Sequence, residues 1–380
     1  MNILLTGVEC NNKGAELMLC AMVEHIRSNF PGTKLVCGFG GKYEDRVGRG
    51  LYQPMSIKYQ RLAKLLDRFF PGQLTNQFGI IFPRSIDLIL DASGFCFGDT
   101  WAETYVARHV SHRIQYHPYG AKLILLPQAF GPFQRENIRK ICKELFDKAV
   151  LIFPRDIESF DHVHELIGSK EKLYLATDFT NILQGFVPQT FEEKYRGAVG
   201  ILPNEKMISK NEKPLQQAYI TFLAKCIQKL AEKNIPHFLF CNQKEDIEVV
   251  NLLKARLGQL PYVLSEANPL YIKGILGTCR FLIGSRFHGL INGFSQGVPC
   301  IGTSWSHKYK ALFEDYHCSE YLILDFTSFE KTNQLIDRLL NDNEYSEVRT
   351  NIQKHSLLIK QKTVNMWDIV DSFLQSVKSK

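Results

Sequence analysis

Apolar and polar residues follow a repeating order along this chain. A short apolar run gives way to a turn rich in glycine, proline or polar residues, and then to a stretch with apolar positions at helical spacing. The apolar runs fall at Asn2–Thr6, Lys34–Cys37, Ile86–Leu90, Lys122–Leu126, Val150–Phe153 and Lys172–Tyr174. Such runs, separated by helical patterns, predict a doubly wound α/β fold around a mostly parallel sheet. After Phe179 the periodicity lapses through Gln184, Gly185, Pro188 and Gln189. A second series then runs Ala198–Leu202, Pro236–Cys241, Tyr262–Leu264, Phe281–Ile283, Pro299–Gly302 and Tyr321–Leu324. The lapse places a linker near 184–196, with one domain over 1–185 and a second over 196–345. The segment 346–380 repeats apolar residues at Val364, Trp367, Val370, Phe373, Leu374 and Val377, a stripe expected to pack back across the domain junction as a helix.

The most informative stretch is Phe281 to Lys310. It reads as a strand closed by Gly284, a turn with Arg286 and His288, a helix over Leu290–Gln296 stopped by Gly297 and Pro299, and a second strand. Arg286 and His288 therefore lie where a parallel strand hands over to a helix. Doubly wound sheets bind anions at that place, because unpaired backbone N–H groups and the positive helix end point outward. Arginine adds a flat bidentate donor, and histidine a group that exchanges protons near neutrality. The competing reading is an arginine paired with a core carboxylate and a histidine satisfied internally.

Other strand exits look alike. Phe153-Pro154-Arg155-Asp156, the segment Asp87 to Asp99, and Leu126 to Phe133 all place polar or small residues after an apolar run, and Gly131 allows close backbone approach. If the two sheets face a shared cleft, Arg155 joins Arg286, His288 and Lys308 around a multiply charged anion; otherwise Arg155 pairs locally with Asp156 or Glu158. The turn from Thr6 to Glu16 leads into a helix with apolar positions Leu17, Leu19, Met22, Val23 and Ile26. Asn12 and Glu16 there suit sugar hydroxyls, while Asn12 equally suits a helix cap.

Size and composition narrow the class. At 380 residues the chain exceeds one compact core, and 45% apolar with 22% charged residues is ordinary for a globular protein. No apolar run approaches a bilayer span, and the opening MNILLTG lacks the features of a signal peptide, so a cytoplasmic protein is expected. The ten cysteines are scattered without a C-x-x-C pair, which fits reduced buried thiols. A net charge of +7 favours anionic ligands and is too diffuse to argue for nucleic acid. The basic amphipathic stretch Lys58 to Phe70 suits either peripheral contact with an anionic membrane face or a lid or packing helix. Neither G-x-G-x-x-G after the first strand nor G-x-x-x-x-G-K-[ST] is present. Gly293-Phe294-Ser295-Gln296-Gly297 matches a hydrolase elbow, but with helix before strand rather than the required order. The pairs His162/His164 and His109/His112 lack a third ligand at a suitable spacing, so no metal is expected.

Ser285-Arg286-Phe287-His288-Gly289, Gly297-Val298-Pro299 and Lys308 together resemble the polysaccharide pyruvyl transferase family, which carries S-R-x-H-G, a small-residue helix, G-V-P and a lysine near the next strand end. Asn12-Lys13-Gly14 is similar to that family's N-x-G-D turn, Gln128 to Pro132 to its Q-x-x-G-P, and Arg155-Asp156 with Ser159 to its R-D-x-x-S. Asp178 matches the aspartate that often closes the first domain. The sequence departs from the pattern at Ala15, where an acid is usual and Glu16 follows one place later, and at Asp91-Ala92-Ser93-Gly94, where a double glycine is usual. The resemblance implies two Rossmann-like domains facing a cleft, as in GT-B enzymes. It also implies transfer of a pyruvyl group from phosphoenolpyruvate to two hydroxyls of a sugar in a polysaccharide or lipid-linked precursor, with phosphate released and no cofactor beyond that co-substrate. On this reading Arg155, Ser285, Arg286, Phe287 and His288 hold the donor, and His288, Arg286 and Lys308 are catalytic. Asn12, Gly14, Glu16, Asp91, Gly94 and Gln128 face the acceptor. The alternatives are a GT-B glycosyltransferase or sugar-nucleotide epimerase using the same cleft, or a non-catalytic glycan- or anion-binding module.

Overall fold

The computed structural model describes residues 1–8, 12–38, 43–55, 77–241, 243–304 and 308–378. They form two compact units, one comprising Met1–Phe179 with Lys362–Lys380 and the other Thr180–Gln361. The basic 58–70 segment lies outside the described residues, and among those described no helix is long and apolar enough to cross a membrane.

In the first unit the strands are β1 (Asn2–Thr6), β2 (Lys34–Cys37), a small parallel pair of β3 (Gln53–Pro54) and β4 (Ile80–Ile81), β5 (Leu88–Asp91), β6 (Lys122–Gln128) and β7 (Ala149–Pro154). The main sheet is parallel throughout, in the order β2-β1-β5-β6-β7. Ile3, Leu4, Leu5, Leu88, Ile89 and Leu90 are almost fully buried, as expected for strands covered by helices on both faces. The chain leaves β1 for β2 on one side and returns to β5 on the other. The β1/β5 boundary is thus the topological switch point, where such sheets bind ligands.

The second unit repeats the plan. Its strands β8 (Val199–Leu202), β9 (His237–Phe240), β10 (Tyr262–Leu264), β11 (Leu282–Gly284), β12 (Cys300–Thr303) and β13 (Leu322–Ile323) form a parallel sheet in the order β10-β9-β8-β11-β12-β13. Its switch point is β8/β11, immediately before Ser285 and Arg286.

Several expected boundaries move, each for a local reason. The segment Lys172–Tyr174 forms only a single bridge, Leu173 to Ile152, rather than a strand. Tyr174 and Leu175 are exposed there, so a full strand would have no second face to bury. The second unit begins at Thr180, ahead of the linker expected at 184–196. Residues 180–186 already pack on the helix Pro269–Gly277, with Lys273 Nζ 3.1 Å from the Thr180 carbonyl and Phe186 N 3.0 Å from the Leu270 carbonyl. Gly185 and Gly274 meet there so closely that a Cβ on Gly185 would lie 2.4 Å from Gly274 N. The helix expected at Leu290–Gln296 runs Phe287–Phe294. The C-terminal helix, Asp342–Lys378, starts four residues before 346 because the Asn341 side chain accepts hydrogen bonds from Asn343 N and Glu344 N at 3.1 and 3.2 Å. Its residues from Lys362 onward belong to the first unit, where Trp367 is buried between His25, stacked at 3.9 Å, and Phe179.

Candidate functional site

Four strand exits of the second unit carry the polar residues that matter. Between β8 and β11 the backbones run so close that a Cβ on Gly284 would lie 2.4 Å from Leu202 Cβ and 2.6 Å from its carbonyl oxygen. The chain then turns through Ser285 and Arg286 into the helix Phe287–Phe294, whose N-terminus has no side-chain cap. Its first intrahelical bond is Leu290 N to the Arg286 carbonyl at 2.9 Å, which leaves the earlier N–H groups without helical acceptors.

Arg286 is held on one edge by Asp246. Its Nε donates to Asp246 Oδ2 at 2.9 Å, a second N–H on Nη2 donates to Oδ1, and Nη1 donates to Gln243 Oε1 at 2.9 Å. The pairing with a core carboxylate raised as the competing reading is therefore present. It commits three of the five guanidinium N–H groups and leaves one on each Nη outside these bonds. His288 is half-buried in the first helical turn, its ring centroid 5.7 Å from that of Phe287. Lys308, which opens the helix Lys308–Asp315 after β12, places Nζ 4.8 Å from the Phe287 ring centroid. Arg286, Phe287, His288 and Lys308 thus gather at one edge of one sheet.

Ser285 points the other way. It is fully buried, and its hydroxyl donates to Tyr219 Oη at 3.0 Å and shares a short hydrogen bond with Thr303. Its carbonyl accepts from Asn204 Nδ2 and Tyr309 Oη, each at 2.6 Å. The serine expected at the donor is therefore committed to the fold and bonds β11 to its neighbours. Ser295 of the G-x-S-x-G match is likewise buried at a helix end, accepting from Lys273 Nζ at 2.8 Å, with the strand following it.

In the first unit the switch point is built around Asp91, whose side chain is completely buried. Its Oδ1 accepts from Thr6 Oγ1 at 2.8 Å, Ser93 Oγ at 2.9 Å and Arg113 Nε at 2.7 Å, and its Oδ2 accepts from Gln128 Nε2 at 3.0 Å. Burial alone would raise this carboxyl's pKa, but Arg113, Gln128, Thr6 and Ser93 outweigh it and hold it below the usual carboxylate range. Asp91 and Gln128, expected to face an acceptor, are thereby engaged with each other. Asn12 caps the helix Lys13–Asn29, accepting from Gly14 N and Ala15 N at 3.0 and 3.3 Å. Glu16 is buried between Lys13, at 2.7 Å, and Arg49. Gly94, at φ +71°, sits over Met18.

Arg155 follows β7 and is nearly buried, its Nη1 3.9 Å from Asp178 Oδ2. The local partners considered in its place do other work. Asp156 caps the helix Ile157–Ile167 through Ser159 N at 2.7 Å, and Glu158 lies 3.7 Å from His162. Ser159 Oγ accepts from Phe130 N at 2.9 Å, so the aspartate and serine of the R-D-x-x-S match anchor the turn from Gln128 to Pro132.

Sequence reading missed Asp246, Gln243, Asn204 and Arg113. The first two follow Pro236–Cys241, recognised as a strand; an acid at that strand's exit was the available signal. Arg113 stands singly in an amphipathic helix and carried none.

Two α/β units, each with a parallel sheet and its polar residues at the carboxyl edge, define the GT-B class of fold. Solved structures align with the chain over nearly its whole length. They include the S. aureus MnaA–UDP complex (10% identity, TM-score 0.61, 98% of this chain and 97% of that one). Another is Anabaena HepE in complex with UDP and glucose (12%, 0.58, 97% and 99%), and a third is UDP-GlcNAc 2-epimerase from Neisseria meningitidis bound to UDP-GlcNAc (12%, 0.59, 99% and 100%). At these identities the likeness is one of fold. The chain itself belongs to the polysaccharide pyruvyl transferase family, whose model matches residues 12–307.

Proposed function

We propose that this protein transfers the pyruvyl group of phosphoenolpyruvate to two hydroxyls of a sugar in a polysaccharide or lipid-linked glycan precursor, forming a cyclic ketal and releasing phosphate. The observation that carries the reading is the Arg286 turn. A guanidinium with N–H groups to spare lies beside an uncapped helix N-terminus, with His288 and Lys308 at the same sheet edge. Phosphoenolpyruvate presents a phosphate and a carboxylate on a three-carbon skeleton, and bidentate donors with a helix N-terminus are suited to both groups.

In the proposed reaction the methylene carbon takes a proton and the adjacent carbon becomes cationic. One sugar hydroxyl adds there, phosphate leaves with its bonding pair, and the second hydroxyl closes the ring. Of the two protons given up by the hydroxyls, one balances that taken by the methylene and the other leaves on phosphate. His288 is assigned the proton transfers and Lys308 the charge on departing phosphate. The scheme requires no metal. Arg155 keeps a donor assignment, and the acceptor is assigned to the β1/β5 edge of the first unit, with Asn12, Gly14 and Gly94 lining it and Glu16, Asp91 and Gln128 holding its shape.

The test is phosphate release from phosphoenolpyruvate with a panel of lipid-linked and nitrophenyl sugars. Arg286→Ala is expected to lower kcat/KM by about 10²–10³-fold, with Arg155→Ala as its companion. Wild-type turnover in Arg286→Ala refutes the assignment. A second reading, a nucleotide-sugar enzyme, is favoured by the UDP bound in structures of similar fold. Thermal stabilisation by UDP but not by phosphoenolpyruvate selects it.

A further inference from the structure

Asp246 ties together three strand exits at the β8/β11 switch point. Its side chain is fully buried, and it closes the short turn Lys244–Asp246 that leads into the helix Ile247–Leu257 after β9. One oxygen accepts from Glu205 N, on the loop after β8, at 3.0 Å. The same oxygen and its partner take two N–H groups of Arg286, on the turn after β11. Gln243, on Asp246's own loop, takes a third guanidinium N–H, and Asp246 N donates back to the Gln243 carbonyl at 3.1 Å. The guanidinium plane is thereby fixed by an acceptor on each of two sides, and the N–H groups left over, one on each Nη, have a set direction.

We propose that Asp246, assisted by Gln243, is the positioning residue that aims Arg286 at the donor anion. This rests on the functional reading above, with Arg286 as the group that touches phosphoenolpyruvate. Asp246 itself makes no contact with substrate. An arginine freed from both partners keeps its charge and loses its direction. The deficit therefore falls on donor recognition rather than on the proton transfers assigned to His288.

The experiment compares Asp246→Asn, Gln243→Ala, Arg286→Ala and the Asp246→Asn/Arg286→Ala double variant, measuring KM for phosphoenolpyruvate, kcat, and calorimetric binding of phosphoenolpyruvate. Asp246→Asn is expected to raise KM by about tenfold or more with a smaller change in kcat, and Gln243→Ala by about threefold. The double variant is expected to be no worse than Arg286→Ala alone, because the aspartate acts only through the arginine. A folded Asp246→Asn variant with wild-type KM, or losses that multiply in the double variant, overturns the proposal. If Asp246→Asn does not fold, Gln243→Ala decides: it alters the guanidinium's setting without touching the carboxylate, and an unchanged KM refutes the positioning role. A wild-type protein that neither binds nor consumes phosphoenolpyruvate defeats the functional reading beneath it, an outcome distinct from either of these.

Discussion

Asp91 and Arg113 form an ion pair in the interior of the first unit, with Arg113 Nε 2.7 Å from Asp91 Oδ1 and side-chain exposures of 0% and 4%. The pair joins the end of β5 to the helix Glu103–Ile114, and Thr6, Ser93 and Gln128 complete it from β1, the following turn and β6. Every bond lies at the switch point, so the network sets the shape of the edge assigned to the acceptor. Removing one partner strands a buried charge. Arg113→Met is expected to cost about 3–5 kcal/mol of stability, read by urea denaturation, and a loss below about 1 kcal/mol is the result that contradicts it.

The same unit should be acid-sensitive in two stages. Burial first, then Arg113, pushes the His109 imidazole down to about 4, and burial also lowers His112. An unfolded histidine titrates near 6.5, so the unfolded chain binds protons that the native state refuses as pH falls from about 6.5 to about 4, and stability declines across that window. Asp91 acts lower down. Its pKa is depressed, so its contribution is complete above the unfolded carboxylate value near 4 and is lost as pH falls from there through the native value. His109→Gln is expected to flatten the upper part of the stability profile and leave the lower part intact. An unchanged slope between pH 6.5 and 4 refutes the first stage.

Much of the fold was legible because parallel strands are covered on both faces and read as unbroken apolar runs. Asn2–Thr6, Lys34–Cys37 and Tyr262–Leu264 match the observed strands residue for residue. What stayed hidden depends on partners far away in sequence. Nothing local to Thr180 says that its carbonyl meets Lys273, 93 residues on, and nothing local to Ser285 says that its hydroxyl turns toward Tyr219 and Thr303. The turn at Arg286 was found from strand-to-helix order, while its clasp by Asp246 spans 40 residues and two crossovers and leaves no local pattern.

Ser285 and Arg286 are adjacent, yet their substitutions should separate. Ser285→Ala leaves Tyr219 and Thr303 short of a hydrogen-bond partner in a fully buried place, which is expected to cost about 1–3 kcal/mol, seen as a lowered melting temperature, with KM for phosphoenolpyruvate little changed. Arg286→Ala should lose donor binding far more heavily, and because it strands the fully buried Asp246 carboxylate it should lower stability as well. Equal effects of the two on KM refute the division between an inward serine and an outward arginine.

Two glycines bracket that turn and differ in what surrounds them. A Cβ on Gly284 would meet Leu202 at its Cβ and, at 2.6 Å, at its carbonyl oxygen. Backbone oxygen cannot swing aside, so β11 must shift from β8 and carry Ser285 and Arg286 with it. Gly284→Ala is therefore expected to lose about 1–3 kcal/mol together with most phosphoenolpyruvate binding. On Gly289 the added atom would meet Arg286 Cβ and a Leu202 methyl, each at 3.3 Å; the methyl can swing aside, whereas Arg286 Cβ gives way only by a small shift of its own backbone. Within a helix the alanine also gains propensity of up to about 1 kcal/mol. Gly289→Ala should thus keep wild-type stability within about 1 kcal/mol while displacing the Arg286 stem, with calorimetric phosphoenolpyruvate binding as the sensitive measurement. A Gly284→Ala protein with native stability and full binding shows that β8 and β11 are not locked at this crossing.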